Sequence, residues 1–288
     1  MANSFKGFGE RLGWLGMSLK NKIFGRFFRR GNRSVEEDLL AGTYCEKLDQ
    51  PSVALFTLHK AGSAFLSERL ALLMKQQKYD VADLPYHCRQ DSSKKLIALL
   101  EQESACRTLF SKKGIFHKAI RWPVNPDWLG EARVILVTRD PRDIVTSMYF
   151  SYKHSHVILT EAQREQRNKM ETTTIDEFVL QSGHFEMIVE RLEQYQEYLK
   201  KPQVCHMTYE EMVTSPEVAE NRMATFLRLP ADHKKIFSKE DFDVEREDIM
   251  SHKRQVTPGD HARKLAPATI RHCNNKIRHL MPVYGWRE

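Results

Sequence analysis

Two short stretches of this 288-residue chain carry side chains suited to holding phosphate. The first reads Leu58-His59-Lys60-Ala61-Gly62-Ser63-Ala64-Phe65-Leu66, where an apolar run gives way to a helical pattern. A helix N-terminus presents free backbone N–H groups and the positive end of its dipole, which suits an anion. Gly62 lets the backbone come close, Ser63 adds a hydroxyl donor, and Lys60 supplies a point charge. The loop lacks Gly-Lys-Ser/Thr and is shorter than a Walker A loop, which argues against ATP or GTP with magnesium. Glycine turns between strand and helix are common, so alone it leaves a purely structural turn open.

The second stretch is Val137-Thr138-Arg139-Asp140-Pro141-Arg142-Asp143-Ile144-Val145-Thr146-Ser147. Asp140 fits an N-cap, Pro141 the first helical position, and Asp143 the first turn, where an acid complements the dipole. Those structural roles leave Arg139 unexplained. It exits an apolar strand at the face where ligands bind, and a guanidinium there suits bidentate capture of phosphate. Ser147 lies two helical turns on and adds a hydroxyl if that side of the helix faces the ligand.

A frame must bring such strand ends together. Strand patterns are expected over 52–58, 114–120, 133–138 and 203–208; the run Arg-Val-Ile-Leu-Val-Thr at 133–138 reads as buried on both faces. Helices are expected over 63–77, 92–103, 141–152, 175–200 (a single long one), 216–227, 241–250 and 267–280. This alternation implies a three-layer α/β fold with a central parallel sheet and ligands beyond the carboxyl ends of its strands. Residues 51–288 form that domain and polar, acidic 34–50 reads as a linker. Ahead of it, 1–33 is a basic amphipathic segment. Phe5, Phe8, Leu12, Leu15, Leu19 and Ile23 recur at three- and four-residue steps with cations between them. Residues 5–28 suit peripheral membrane contact, packing on the protein's own body, or organelle targeting.

In this order and spacing the motifs resemble those of the PAPS-dependent sulfotransferases (PAPS, 3′-phosphoadenylyl sulfate). Lys60-x-Gly62-Ser63-x-Phe65-Leu66 resembles their 5′-phosphosulfate loop, and Arg139 with Ser147 their 3′-phosphate motif. Thr208-Tyr209-Glu210-Glu211-Met212 is similar to their Tyr-Glu-Asp-Leu segment. The resemblance spans about residues 53–286. It implies a P-loop nucleoside-triphosphate-hydrolase-like architecture and sulfuryl transfer from PAPS to a hydroxyl or amine, with PAP as product and no metal. It implies donor contacts from Lys60, Ala61, Gly62, Ser63, Ala64, Phe65 (beside the adenine), Arg139, Ser147 and Tyr209. Packing in the core is the other reading of Tyr209. Lys60 would also stabilise charge on the leaving phosphate. Ala61 and Ala64 replace frequent hydroxyl residues, which thins the first loop. The segment 252–261 resembles the basic stretch that closes over the 3′-phosphate: Arg254 and Gly259 match, while Gln255 and His261 replace the usual glycine and tryptophan. His117 ends an expected strand upstream of Arg139, similar to the catalytic histidine of cytosolic members, and imidazole titrates near neutrality. Lys118 follows His117 where the family's lysine precedes its histidine; it is a second candidate for sulfate, or a solvated charge.

Composition narrows the alternatives. The net charge of +7 sits in residues 1–33, where eight basic side chains face one acid, Glu10; the remaining 37 basic and 37 acidic residues cancel. A nucleic-acid-binding body gets no support. Five scattered cysteines without a Cys-x-x-Cys pair argue against a disulfide framework or zinc site and for a cytosol-like compartment. No apolar run approaches the ~20 residues that span a bilayer. The expected acceptor is a small molecule, lipid or sugar. A P-loop small-molecule kinase and an inactive, membrane-associated nucleotide-binding module are the competing readings.

Overall fold

Every position of Val53–Thr57 is buried, as is Arg133–Thr138 beyond its first residue, so neither strand has a face for water. Such strands belong at the centre of a sheet covered on both sides. A computed structural model describes residues 33–89, 93–155, 160–242 and 256–288. The amphipathic segment at 5–28 and Arg254 lie outside these residues, as does most of the helix expected at 241–250. The chain opens with α1 (Val35–Leu40), β1 (Val53–Thr57), α2 (Ser63–Gln76) and β2 (Asp80–Ala82). Helices α3 (Leu84–Arg89), α4 (Ser93–Leu100) and α5 (Glu103–Ser111) then lead to β3 (Ile115–Ile120) and β4 (Arg133–Thr138). Next come α6 (Pro141–Phe150), α7 (Glu161–Thr172), α8 (Ile175–Gln181), α9 (His184–Tyr195) and β5 (Val204–Thr208). The chain closes through α10 (Tyr209–Thr214), α11 (Pro216–Leu227), α12 (His261–Lys264), α13 (Pro267–Ile277) and α14 (Met281–Tyr284).

The five strands form one parallel sheet in the order β2-β3-β1-β4-β5, the α/β architecture expected. Alternation along the strands sorts the core into two layers. Val53, Leu55, Ile135 and Val137 meet Leu66 and Leu70 of α2 and Met212 and Met223 of α10 and α11. Ala54, Phe56, Val134 and Leu136 face Ile144 of α6, Phe178 of α8 and Leu192 of α9. At roughly 1.5–3 kcal/mol for each fully buried aliphatic or aromatic side chain, these layers are the main stabilising term.

Three expectations change. The long helix at 175–200 is two helices, broken at Gly183, whose φ of 72° stops a helix at little cost. Both halves bury their apolar side against the same core, so the period runs through the break unchanged. The stretch 34–50, expected as a linker, is largely exposed but anchored: Ser34 and Glu37 form a capping box at α1, and Tyr44 donates to Asp80 Oδ2 at 3.0 Å. Finally, His117 stands mid-strand in β3, paired in register with Ala54, and not at the strand's end. Among the described residues no helix is long and apolar enough to cross a membrane.

Candidate functional site

β1 and β4 are adjacent and parallel, so the loops leaving their carboxyl ends emerge side by side. In the first loop, Lys60 (φ 60°) and Gly62 (φ 77°) are both left-handed. Lysine pays for that conformation with roughly 1 kcal/mol of backbone strain, while glycine adopts it freely. A Cβ at Gly62 would meet the Tyr209 ring at 3.6 Å, an ordinary contact, so it is the left-handed backbone and not crowding that favours glycine there. Gly62 is the N-cap of α2 and provides no side-chain cap, so the helix turns its dipole and first-turn amides toward the loop. Ser63 Oγ accepts from Arg121 Nε (3.3 Å) and Nη2 (3.0 Å). Ala61 is fully buried in the core, which leaves only its backbone for a ligand, and Ala64 is exposed. Phe65 is half-buried, edge-on to Phe242 (5.8 Å between centroids) and covered by the Arg69 guanidinium (5.4 Å).

The second loop separates its two arginines by function. Arg142 is buried and structural: it forks onto Asp140 (Nη2 to Oδ2, 2.6 Å) and reaches Asn274 Oδ1 and the Arg287 carbonyl, both at 2.6 Å. Arg139 turns toward the first loop instead, donating from Nη1 to the Lys60 carbonyl at 2.6 Å. Its Nε is buried and has no partner in the protein. Ser147 is half-buried although every other residue from Pro141 to Tyr149 is buried, so it marks the one open side of this part of α6. Arg139, Asp143 and Ser147 recur at four-residue steps and share that side.

Tyr209 joins the parts. Thr208 caps α10 by accepting from the Glu211 amide (3.1 Å), which sets Tyr209 at the helix start. Its ring faces the side on which Gly62 lacks a Cβ and lies 4.1 Å from the Arg139 guanidinium carbon, and its hydroxyl donates to the Val256 carbonyl at 3.0 Å. The core-packing and ligand-proximal readings of Tyr209 therefore describe one position. Next to it, Glu210 Oε1 accepts from the Asp140 amide (3.0 Å) while Oε2 is buried without a partner, and burial pushes its pKa up. Asp143 collects the C-terminal segment, accepting from the Gly259 amide (2.7 Å), the His261 amide (3.0 Å) and His261 Nδ1 (2.7 Å). Burial favours the neutral acid, but the His261 hydrogen bond and the Arg139 charge win and hold its pKa at about 2. Gly259, expected to face the nucleotide, already commits its amide to Asp143.

His117, expected as the acceptor base, lies in the core. It is 1 % exposed, faces Phe110 at 5.1 Å, and neither ring nitrogen has a partner. Burial pushes its pKa down to about 4. At this depth the neutral ring packs against Phe110 and not at the loop surface. Lys118 is also committed, paired with Glu68 (2.6 Å) and Asp83 (3.0 Å). Three residues that the sequence reading passed over do reach the site. His59 precedes Lys60, Arg121 and Trp122 follow β3, and His59 stands edge-on to Trp122 at 6.1 Å. The rule that singles out Arg139, a polar side chain just beyond a buried strand, applies equally to His59 and Arg121 but not to the aromatic Trp122. Among the described residues no three His, Cys, Asp or Glu side chains gather as a metal site.

Residues 50–276 match the sulfotransferase domain family. No curated protein matches the sequence. Among solved structures, the chain is similar to a mouse sulfotransferase, SULT7A1, complexed with PAP: 14% identity, TM-score 0.53, 87% of this chain and 90% of that one. It is also similar to retinol dehydratase in complex with androsterone and the inactive cofactor PAP, at 13% identity and TM-score 0.51, covering 88% and 86% of the two chains. At such identities the likeness shows a shared fold.

Proposed function

Since the chain belongs to the sulfotransferase domain family, we propose that it transfers a sulfuryl group from PAPS to a hydroxyl or amine of a small-molecule, lipid or sugar acceptor. The observation that carries the donor assignment is Arg139, a buried guanidinium tied to the Lys60 carbonyl with an unpartnered Nε. A buried cation with an unsatisfied donor suits a phosphate bound between the two loops. The other parts fit the same ligand. The uncapped N-terminus of α2, with Lys60 and Ser63, suits the 5′-phosphosulfate; Ser147 supplements Arg139 at the 3′-phosphate; Phe65 with Phe242 offers an aromatic slot for the adenine.

When bound, PAPS supplies the sulfuryl group and departs as PAP. Lys60 and Arg121 place positive charge beside the group in transit, and fixed charges of this kind are worth most where water is excluded. His59, beside Lys60 and against Trp122, takes the proton from the acceptor in the role expected of His117. Asp143 and Tyr209 set Arg139 and the segment from Val256 to His261 relative to the loop. Four buried thiols and one exposed one, all free, support a reducing, cytosol-facing compartment.

Thermal shift tests the donor. PAP stabilises the protein by several degrees and ATP does not; a ligand at a hundred times its Kd adds about 2.7 kcal/mol. Arg139→Ala abolishes the PAP shift. Stabilisation by ATP alone would establish a kinase-like site instead.

A further inference from the structure

The two sides of the phosphate loop differ in chemistry. Phe65, Phe242, Tyr209 and Val256 belong to the layer of α2 and α10. Trp122 belongs to the opposite layer, with α8 and α9. In-line displacement puts the leaving phosphate and the attacking atom on opposite sides of sulfur, so with the nucleotide on the Phe65 and Tyr209 side, as in the PAPS reading, the second substrate arrives along the Trp122 side. Two features flank that approach, and a buried tyrosine fixes the helix that carries them. Tyr195 donates to the Thr57 carbonyl (3.3 Å), which fixes the end of α9 to the end of β1. One turn earlier, about 6 Å along the helix, the Arg191 guanidinium carbon lies 5.6 Å from the Trp122 ring centroid. Two turns earlier again, His184 sits against Tyr152 (5.5 Å) and Phe178 (5.3 Å).

Arg191 is the unusual member of this wall. It is half-buried and makes no hydrogen bond or ion pair with any described residue. The carboxylate in range, Glu190, is exposed and forms no pair with it. Burial lowers the Arg191 pKa, so the charge is held there at a cost. A guanidinium stacked on an aromatic face with its N–H donors unspent suits an oxyanion, which it binds bidentately.

We infer that Arg191, backed by Trp122, docks a negatively charged group of the acceptor, a carboxylate or a phosphate or sulfate ester, while a nearby hydroxyl or amine faces Lys60. The inference rests on the PAPS reading above. The positive charge of Lys60, Arg121 and Arg191 draws an anionic acceptor to the loop, and the Trp122 face takes its ring or apolar part.

The test uses the full chain saturated with PAP, so that no anionic probe occupies the nucleotide site. Calorimetry compares 4-nitrophenyl β-D-glucuronide, 4-nitrophenyl β-D-glucoside 6-phosphate and the neutral 4-nitrophenyl β-D-glucoside. Tighter binding of at least one charged sugar, by about tenfold or more, is expected, in line with a charge-assisted bidentate pair. The glucuronide and phosphate arms tell which oxyanion the site takes. Arg191→Gln removes the preference without weakening PAP, and Arg191→Lys restores part of it. Two results overturn the inference while PAP still binds: no tighter binding of either charged sugar than of the neutral one, or a preference that survives Arg191→Gln. Failure of PAP to bind the unmodified protein overturns the donor reading instead.

Discussion

Replacing Asp143 tests whether one carboxylate holds the C-terminal segment to the second phosphate loop. Its side chain is 1 % exposed and accepts from two backbone amides and an imidazole nitrogen, with Arg139 Nη2 at 3.9 Å. Asp143→Ala strands those buried donors at a cost of about 3–5 kcal/mol, a large share of the 5–15 kcal/mol that holds a typical domain folded. Asp143→Asn is the usable variant. Its carbonyl oxygen still accepts, but its NH2 meets a donor, for a loss of about 2–3 kcal/mol. The pKa carries the same size independently: depression from 3.8 to about 2 is worth roughly 2–3 kcal/mol at about 1.4 kcal/mol per pH unit. A depressed carboxyl pKa stabilises the fold above the unfolded value, and that stability drains away as pH falls from about 4 toward 2. Urea unfolding at pH 7 and pH 3 measures it. The gap between unmodified protein and Asp143→Asn narrows by roughly 1 kcal/mol at pH 3, where part of the linkage is already lost. Equal stability at pH 7, or a gap that does not change with pH, refutes the assignment.

The two histidines separate in the opposite sense. His117→Leu leaves the PAP shift and the pH profile of turnover unchanged and removes acid sensitivity between pH 6.5 and about 4. A histidine whose folded pKa is depressed contributes full stability above its unfolded value and loses it as pH falls through that window, here roughly 3 kcal/mol. Urea unfolding across pH 7 to 4 checks this, and loss of turnover in the leucine variant restores His117 as base. His59→Gln keeps PAP binding and lowers kcat by roughly 10²–10⁴-fold, the usual worth of a general base, measured with labelled PAPS on any acceptor found by metabolite screening; unchanged kcat removes His59 from the mechanism.

Much of this protein is local information. A run with no polar face, as at 133–138, has to be a central strand. A proline and two acids after Arg139 have to open a helix, and an arginine left over from those roles is a candidate ligand contact. These follow from periodicity, capping and charge within about a dozen residues, so they are readable without a structure. Other features depend on partners far away in the chain. His117 and Lys118 are adjacent in sequence, yet the pleat sends one under Phe110 and the other to Glu68 and Asp83. The break at Gly183 escapes periodicity because both helices serve one core. Gly259 looks like a phosphate ligand until Asp143, 116 residues earlier, takes its amide. Arg191 lies in an ordinary amphipathic helix, and long-range ties from Tyr195 to Thr57 and from Tyr198 to Val124 bring it beside Trp122. Local sequence determined the sheet and the two strand-to-helix loops at its carboxyl edge. Tertiary packing decided which titratable groups stand near the two loops and which are sealed, because burial and charge pairing are set by neighbours that a linear motif does not contain.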